Sequence, residues 1–579
     1  MSKTTRGRKV TAKHSRPPQI PTEDTRSAHK SILTYIIMGI LIAIPFSFGK
    51  YFEFNINGPF DSGAYVYCAK AVLGGAQIGS EVKVSARMGT LLVNMLGVKL
   101  FGFSEFGPKL VQMGFQIAAL IFMFVALRRL WGKWAAGIST FIASLYLSAP
   151  VIAKFGNVKE QYMIACMVIG VSCLVMRHLG GRWWWSVLCG MFVAWGPLFK
   201  QTGLSAIAAV GLFVLIQPVI KQRTWKQTGN DILLLIAGAI ISLGPVYVWM
   251  VSGNVPFEYW PYAKIIRILF PGHTGRFTSY IAKGRQLVSM EEVAPRIFRY
   301  YAILIMPIVL ALSSLVLGVV RVGMKKTVER DRFVILFGLW WIVDMVFVWI
   351  SPRSYEQYYL PLNASAAMLS SFVFGCYFNK LKTAGFKVPW IVAGAFGIVI
   401  MIALSWQIVF GISKSPHSAV VYKNPRTNLP DKRRGYIQQF KTVRSAKKST
   451  QKSSWETVAE FIKERTQADD KIFVWGWYPG IYVQSQRMSA AAHAFTSEMH
   501  VKSVEALTDD INGLLEGFQK QAPKFIVDTH KSHFHGTGRF LNCGRYSIDW
   551  NYRHGPRSPI VCPPRKRPLN SMTRPGFIY

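Results

Sequence analysis

Acidic side chains are scarce in this chain: 28 Asp and Glu face 68 Lys and Arg in 579 residues, a formal net charge of +40. In a soluble protein that excess would suggest a nucleic-acid partner. Here the basic residues alternate with long apolar runs, so the excess reads as membrane topology and no nucleic-acid partner is expected. Charge of either sign is sparse, at 17% of residues against 51% apolar, and mean hydropathy is +0.24. This balance excludes a disordered chain and argues against a soluble protein of this size. Seven Cys are too few for a disulfide scaffold. The apolar runs are continuous instead of alternating, which excludes an outer-membrane barrel. There is no P-loop, no dinucleotide fingerprint and no internal repeat, so ATP-driven transport is disfavoured.

What is present is a series of mostly apolar windows at 32–49, 109–127, 134–152, 161–176, 184–199, 203–220, 231–251, 299–320, 333–350, 359–378 and 388–410. At roughly 20 residues to cross the hydrocarbon, they predict a polytopic α-helical membrane protein with about eleven transmembrane helices. Residues 1–31, with eight Lys and Arg and three Pro, predict a basic disordered cytoplasmic arm. The run Ser31–Phe48 has no A-x-A-like cleavage site, so the first helix is read as retained.

Alternate short loops (1–31, 128–133, 177–182, 221–226, 321–332, 380–387) hold 24 Lys and Arg. The positive-inside rule places them, and the N-terminus, in the cytoplasm, and eleven spans then leave the C-terminus outside. The opposite loops 50–107, 153–160 and 253–298 carry Glu53, Asp61, Glu81, Glu105, Glu160, Glu258, Glu291 and Glu292, so function is sought on that side. Residues 432–452, with eight Lys and Arg and no acid, argue the other way, but long domains translocate largely regardless of charge. The organisation expected is the arm at 1–31, a transmembrane domain at 32–410 with an outer loop at 50–107, and an extracytoplasmic domain at 411–579. The tail alternates helix (454–466), strand (471–475), helical turn (478–486), helix (502–520) and strand (524–528), which predicts a small α/β layer. The expected location is a bacterial inner membrane.

Several candidates have ordinary structural readings. Cys166, Cys173, Cys189 and Cys376 fall within spans, where Cys is a small apolar residue. Cys543 and Cys562 would suit a disulfide in an exported tail. His530, His533 and His535 lack Cys or carboxylate partners in register and read as a solvated loop before a metal site. Asp344, the acid deep in LWWIVDMVFVW, is either functional or bonded to a neighbouring helix.

The strongest signal is the first outer loop, NINGPFDSGAYVYCAKAVLGGAQIGSEVKVSARMGTLLVN. Asp61 follows directly on the first span, Tyr65, Tyr67 and Ala71 are spaced for an amphipathic helix on the membrane surface, and a second amphipathic run begins at Met88. The loop resembles that of the GT-C glycosyltransferases, in the protein O-mannosyltransferase and aminoarabinose transferase branch. In that family the first span precedes D-E-x-x-Y, an LL.GG segment and K-P-P-G-T. The counterparts here are Asp61, Ser62 and Tyr65, then Leu73, Gly74 and Gly75, then Arg87, Met88, Gly89 and Thr90. Ser62 stands where the second acid would be, and the Lys-Pro-Pro is gone, leaving Lys83 and Arg87 as nearby cations. A divalent cation is left open by the resemblance, without the adjacent acids that would hold it.

Further similar segments follow in order: FGFSEFGPKLVQ from Phe101; NVKEQY with Glu160; PLFKQTGL with Lys200; RSYEQYYLPLNASAAML with Arg353, Gln357, Tyr358 and Tyr359; and DDKIFVWGWYPGIYVQSQRMSA in the tail. The resemblance covers residues 32 to about 530. It implies transfer of a sugar from a polyprenyl-phosphate donor at the extracytoplasmic face, with inversion, to a glycan, lipid or protein acceptor, in contact with membrane lipids. Asp61 or Glu160 would serve as base, and Lys200, Arg353, Arg87 and Tyr359 would line the donor phosphate. Each has a plain alternative: Asp61 as a helix N-cap, Glu160 as a solvent-facing helix end, Lys200 and Arg353 as interfacial anchors. The rival function is a polytopic transporter or lipid flippase.

Overall fold

In hydrocarbon a chain satisfies its backbone polar groups locally by coiling, and each of the apolar runs is helical. The structure, a computed structural model, describes residues 25–153, 155–263, 290–350, 356–385, 387–410, 436–448, 454–492, 494–496, 504–529, 547–549 and 560–561. Most of the arm, Arg353, the three tail histidines, and Cys543 and Cys562 lie outside the described residues.

The helices are α1 (Thr25–Asn55), α2 (Asp61–Leu73), α3 (Met88–Phe101), α4 (Phe106–Trp131), α5 (Lys133–Leu147), α6 (Pro150–Ala153), α7 (Lys159–His178), α8 (Trp184–Phe199), α9 (Leu204–Val219) and α10 (Trp225–Ser252). They continue with α11 (Met290–Gly323), α12 (Phe333–Ile350), α13 (Leu360–Ala384), α14 (Val388–Phe410), α15 (Tyr436–Lys448), α16 (Ser454–Glu464), α17 (Gly480–Ser485) and α18 (Val504–Lys520). Among the described residues seven segments are long and apolar enough to cross a membrane: Ile32–Asn55, Phe106–Trp131, Lys159–His178, Gln201–Val219, Trp225–Ser252, Ile305–Gly323 and Gln357–Ala384. The protein is thus an integral membrane protein. The difference from eleven lies partly in length: α5 and α8 have 15 and 16 residues. They rise only about 22 to 24 Å against a hydrocarbon core of about 30 Å.

By contact the chain divides into Met1–Leu41 and Ile42–Tyr579. In the first unit Ile32, Leu33, Ile36, Ile37 and Ile40 are exposed, a face suited to lipid. In the second, α7 is the innermost helix, with 94% of its apolar window buried. It packs against α4, α8 and α13 in a core that includes Met123, Tyr162, Phe213, Trp340 and Phe372. Its two ends differ in chemistry. Near its C-terminus Arg177 pairs with Asp231 of α10 at 2.9 Å, and Arg223 reaches the same carboxylate at 2.7 Å; its N-terminus carries Glu160. Twenty residues at 1.5 Å each separate these ends by about 30 Å.

The tail folds as a sheet of five short strands among the described residues: β1 (Lys471–Trp475), β2 (Met488–Ser489), β3 (Phe525–Asp528), β4 (Ser547–Asp549) and β5 (Ile560–Val561), in the order β2-β1-β3-β4-β5. The pairings are parallel except β4–β5, and Ile472 and Trp475 register with Phe525 and Asp528. The apolar run Ile472, Phe473 and Val474 is buried throughout, as parallel strands require. This layer shares its core with the first outer loop: Val66, Tyr67, Leu91 and Val98 pack in one cluster with Val458, Ile462, Ile472, Tyr482 and Phe525.

That shared core corrects one expectation. Instead of lying half-exposed on the membrane surface, α2 has Ser62 through Ala69 and Ala71 buried. The approach is close enough to demand glycine. A Cβ on Gly63 would sit 2.5 Å from the backbone nitrogen of Gly480, and one on Gly480 would sit 2.8 Å from Cα of Pro59.

Candidate active site

Asp61 opens α2 but does not cap it: the N-cap position is Phe60, with no side-chain capping bond. Its exposed carboxylate instead accepts a hydrogen bond at 3.2 Å from the indole Nε1 of Trp477, in the turn after β1. A carboxylate in the first helical turn is favoured by the helix dipole. Its neighbour Ser62 is buried and accepts from Asn157 Nδ2 at 3.1 Å.

Glu160 is buried, not solvent-facing, at the N-terminus of α7, and Lys200 follows α8 in the short turn expected from PLFKQTGL. The two meet, with Lys200 Nζ donating to Glu160 Oε1 at 2.9 Å while its side chain is 13% exposed. The ammonium also sits 3.0 Å from the ring centroid of Tyr358, a cation–π contact strengthened where water is scarce. Lys200 is therefore turned inward instead of reaching for headgroups. Burial pushes its ammonium down to about 8, opposed by the Glu160 carboxylate. Glu160 Oε2 is buried without a hydrogen-bond partner among the described residues.

Arg87, at the N-cap of α3, donates to the carbonyl of Pro197 at 3.4 Å, which brings it to the α8 end that carries Lys200. Tyr359 is buried at the N-cap of α13, beside Tyr358. Tyr65 ties these groups to Asp61. Its buried phenol is held well above its usual range, first by burial and then by the charges of Asp61 and Glu160 and by Tyr358. Asp61, Glu160, Lys200 and Tyr358 thus share one electrostatic neighbourhood. Asp344 lies apart, accepting from Ser205 of α9 at 2.5 Å, a bond between neighbouring helices.

A buried polar network that the sequence reading missed supports this end of the bundle. Lys50 pairs with Glu53 at 2.6 Å, Gln161 donates to Glu53 at 2.9 Å, and Lys109 pairs with Glu105 at 2.9 Å. Asn157, at φ +52°, receives Tyr162 Oη at 3.0 Å and donates to Asn94 at 2.9 Å as well as to Ser62. Each polar group has a partner, the condition under which such a network fixes one arrangement. The signal available in the sequence was the spacing of Lys50 with Glu53 and Glu105 with Lys109, which places each pair on one helix face. Among the described residues no three His, Cys, Asp or Glu side chains gather as a metal site.

Known proteins resemble this chain in part. Residues 88–249 match the family model described as dolichyl-phosphate-mannose-protein mannosyltransferase. A curated relative from Serratia proteamaculans, an undecaprenyl phosphate-alpha-4-amino-4-deoxy-L-arabinose arabinosyl transferase, is 24% identical over 323 residues. That match spans 54% of this chain and about half the relative's length, 53%. The apo oligosaccharyltransferase of Archaeoglobus fulgidus has a similar fold at TM-score 0.50 and 11% identity, over 84% of this chain and 69% of that one. In sequence and fold the chain is similar to membrane glycosyltransferases of the GT-C type. Apo ArnT from Cupriavidus metallidurans is also similar, at TM-score 0.49 and 15% identity, over 85% of this chain and 90% of ArnT. The family match covers α3 through most of α10, and so holds Glu160 and Lys200; Asp61 lies before it.

Proposed function

We propose that this chain is an inverting glycosyltransferase that moves a sugar from a polyprenyl-phosphate donor to an acceptor at the extracytoplasmic face. The donor class is common to the family description and to the Serratia relative's name, although one specifies mannose and the other an aminoarabinose. The observation that carries the reading is the Lys200–Glu160 pair beside Tyr358, in the same neighbourhood as an exposed Asp61.

In this reading the lipid stays among the spans and its phosphate lies against Lys200, with Arg87 and Tyr359 nearby. An acceptor hydroxyl or amine attacks the anomeric carbon and passes its proton to Asp61. The bond to phosphate breaks with its electron pair on the phosphate oxygen, where Lys200 stabilises the added charge. Phosphate needs no protonation to leave, and a single in-line displacement inverts the anomeric centre. Glu160 fixes the Lys200 ammonium instead of serving as the base.

The sign of the pH dependence follows from Lys200. With the ammonium titrating near 8, affinity for undecaprenyl phosphate is full at lower pH and falls as pH rises through that value, because the neutral amine no longer attracts phosphate. An ordinary lysine would hold affinity constant to about pH 10. Vesicle binding between pH 6.5 and 9.5 reads the difference, and a flat profile contradicts the assignment.

The full topology belongs to the same proposal: eleven spans, N-terminus inside, residues 411–579 outside. A reporter active only outside the cytoplasm is expected to be active when fused after Ser413 and silent after Arg223. The reverse pattern would move the α/β layer away from the extracytoplasmic side.

A further inference from the structure

The turn after β1, Gly476 to Pro479, is not accounted for by donor binding, yet it meets the proposed base directly. We propose that Trp477 is a positioning residue for Asp61, so that the α/β layer is a working part of the catalytic unit. The inference rests on the reading of Asp61 as the base.

The turn is held from several sides. Gly476 adopts φ +118°, open to glycine, and its N–H donates to Thr496 Oγ1 at 2.6 Å. The carbonyl of Trp475 accepts from both the backbone N–H and the hydroxyl of Thr529, at 3.2 and 2.8 Å. The Trp477 ring lies edge-on to Phe495 at 5.3 Å, and Phe495 in turn meets Tyr67 of α2 at 5.5 Å. The layer grips the loop of Asp61 on either side of that residue: Gly480 N–H donates to the carbonyl of Pro59 at 3.0 Å, and Ser489 N–H donates to Tyr67 Oη at 3.2 Å. With β2 on one side of β1 and β3 on the other, the turn leaves the carboxyl edge of the sheet where connections diverge. This is the edge at which open α/β sheets present functional groups.

The chemistry suits the role. Indole offers one N–H and no acceptor, so it can fix one oxygen of the carboxylate without competing for the proton. Oδ1 is thereby occupied and Oδ2 remains for the acceptor's proton. A rigid donor orients the base in advance, which lowers the cost of reaching the reactive geometry.

Trp477→Phe keeps an aromatic ring on Phe495 and removes the N–H. In purified full-length protein, with release of polyprenyl phosphate from a donor pool extracted from native membranes as readout, kcat is expected to fall about tenfold. Affinity for undecaprenyl phosphate and Tm are expected to stay at wild-type values. The same substitution in an Asp61→Asn background is expected to cost nothing further, because its effect runs through Asp61. Wild-type kcat in Trp477→Phe, or an equal loss in both backgrounds, overturns the proposal. Wild-type turnover in Asp61→Asn alone overturns the underlying reading of the base instead.

Discussion

Replacing Asp61 with Asn is expected to lower turnover by about 100-fold or more while leaving the protein folded, the range over which a positioned general base acts. The substitution is nearly isosteric. It keeps an oxygen to accept the Trp477 N–H and disturbs no capping bond, since Asp61 makes none. Exposure of the carboxylate means that no buried charge is stranded by the change. A fall in turnover can therefore be assigned to the lost base when Tm and affinity for polyprenyl phosphate match wild type. Wild-type turnover in Asp61→Asn with a severe loss in Glu160→Gln would transfer the role to Glu160. Full activity in both would end the carboxylate mechanism.

The second large effect concerns the pair beneath it. Lys200→Gln leaves Glu160 ionised, buried and without its cation, and removing one partner of a buried pair costs about 3 to 5 kcal/mol. A marked drop in Tm is expected, together with at least about a tenfold loss of affinity for polyprenyl phosphate. Adding Glu160→Gln removes the stranded charge, so the double variant is expected to recover most of the Tm and none of the affinity. Glu160→Gln alone keeps the cation over Tyr358 and is expected to retain donor binding. Thermal unfolding and vesicle binding of the three variants separate the contributions. Recovery of affinity in the double variant would mean that Lys200 does not meet the phosphate.

The apolar runs were legible as helices because hydrocarbon leaves the backbone few alternatives, and the strand at Lys471–Trp475 was legible because an apolar β-branched run sits between polar flanks. Burial of α2 was not. Ala69 and Ala71 look like the small face of a surface helix, and the α/β layer that packs in one core with them begins nearly 400 residues later in the chain. Glu160 and Lys200 were found singly, as residues at helix ends. Their pairing depends on how α7 and α8 pack, which a single sequence does not encode at any fixed spacing. Trp477 was visible only as part of a family-like segment; its link to Asp61 spans 416 residues.

The central claim is that Lys200 receives the phosphate of a polyprenyl-phosphate donor in the neighbourhood of Asp61. A density map of the full-length protein in lipid nanodiscs with undecaprenyl phosphate tests it most directly. The account predicts phosphate density at hydrogen-bonding distance, about 3 Å, from the Lys200 ammonium, with the prenyl chain running between spans from there. Phosphate density remote from Lys200, with the Lys200–Glu160 pair closed and unchanged, would contradict it.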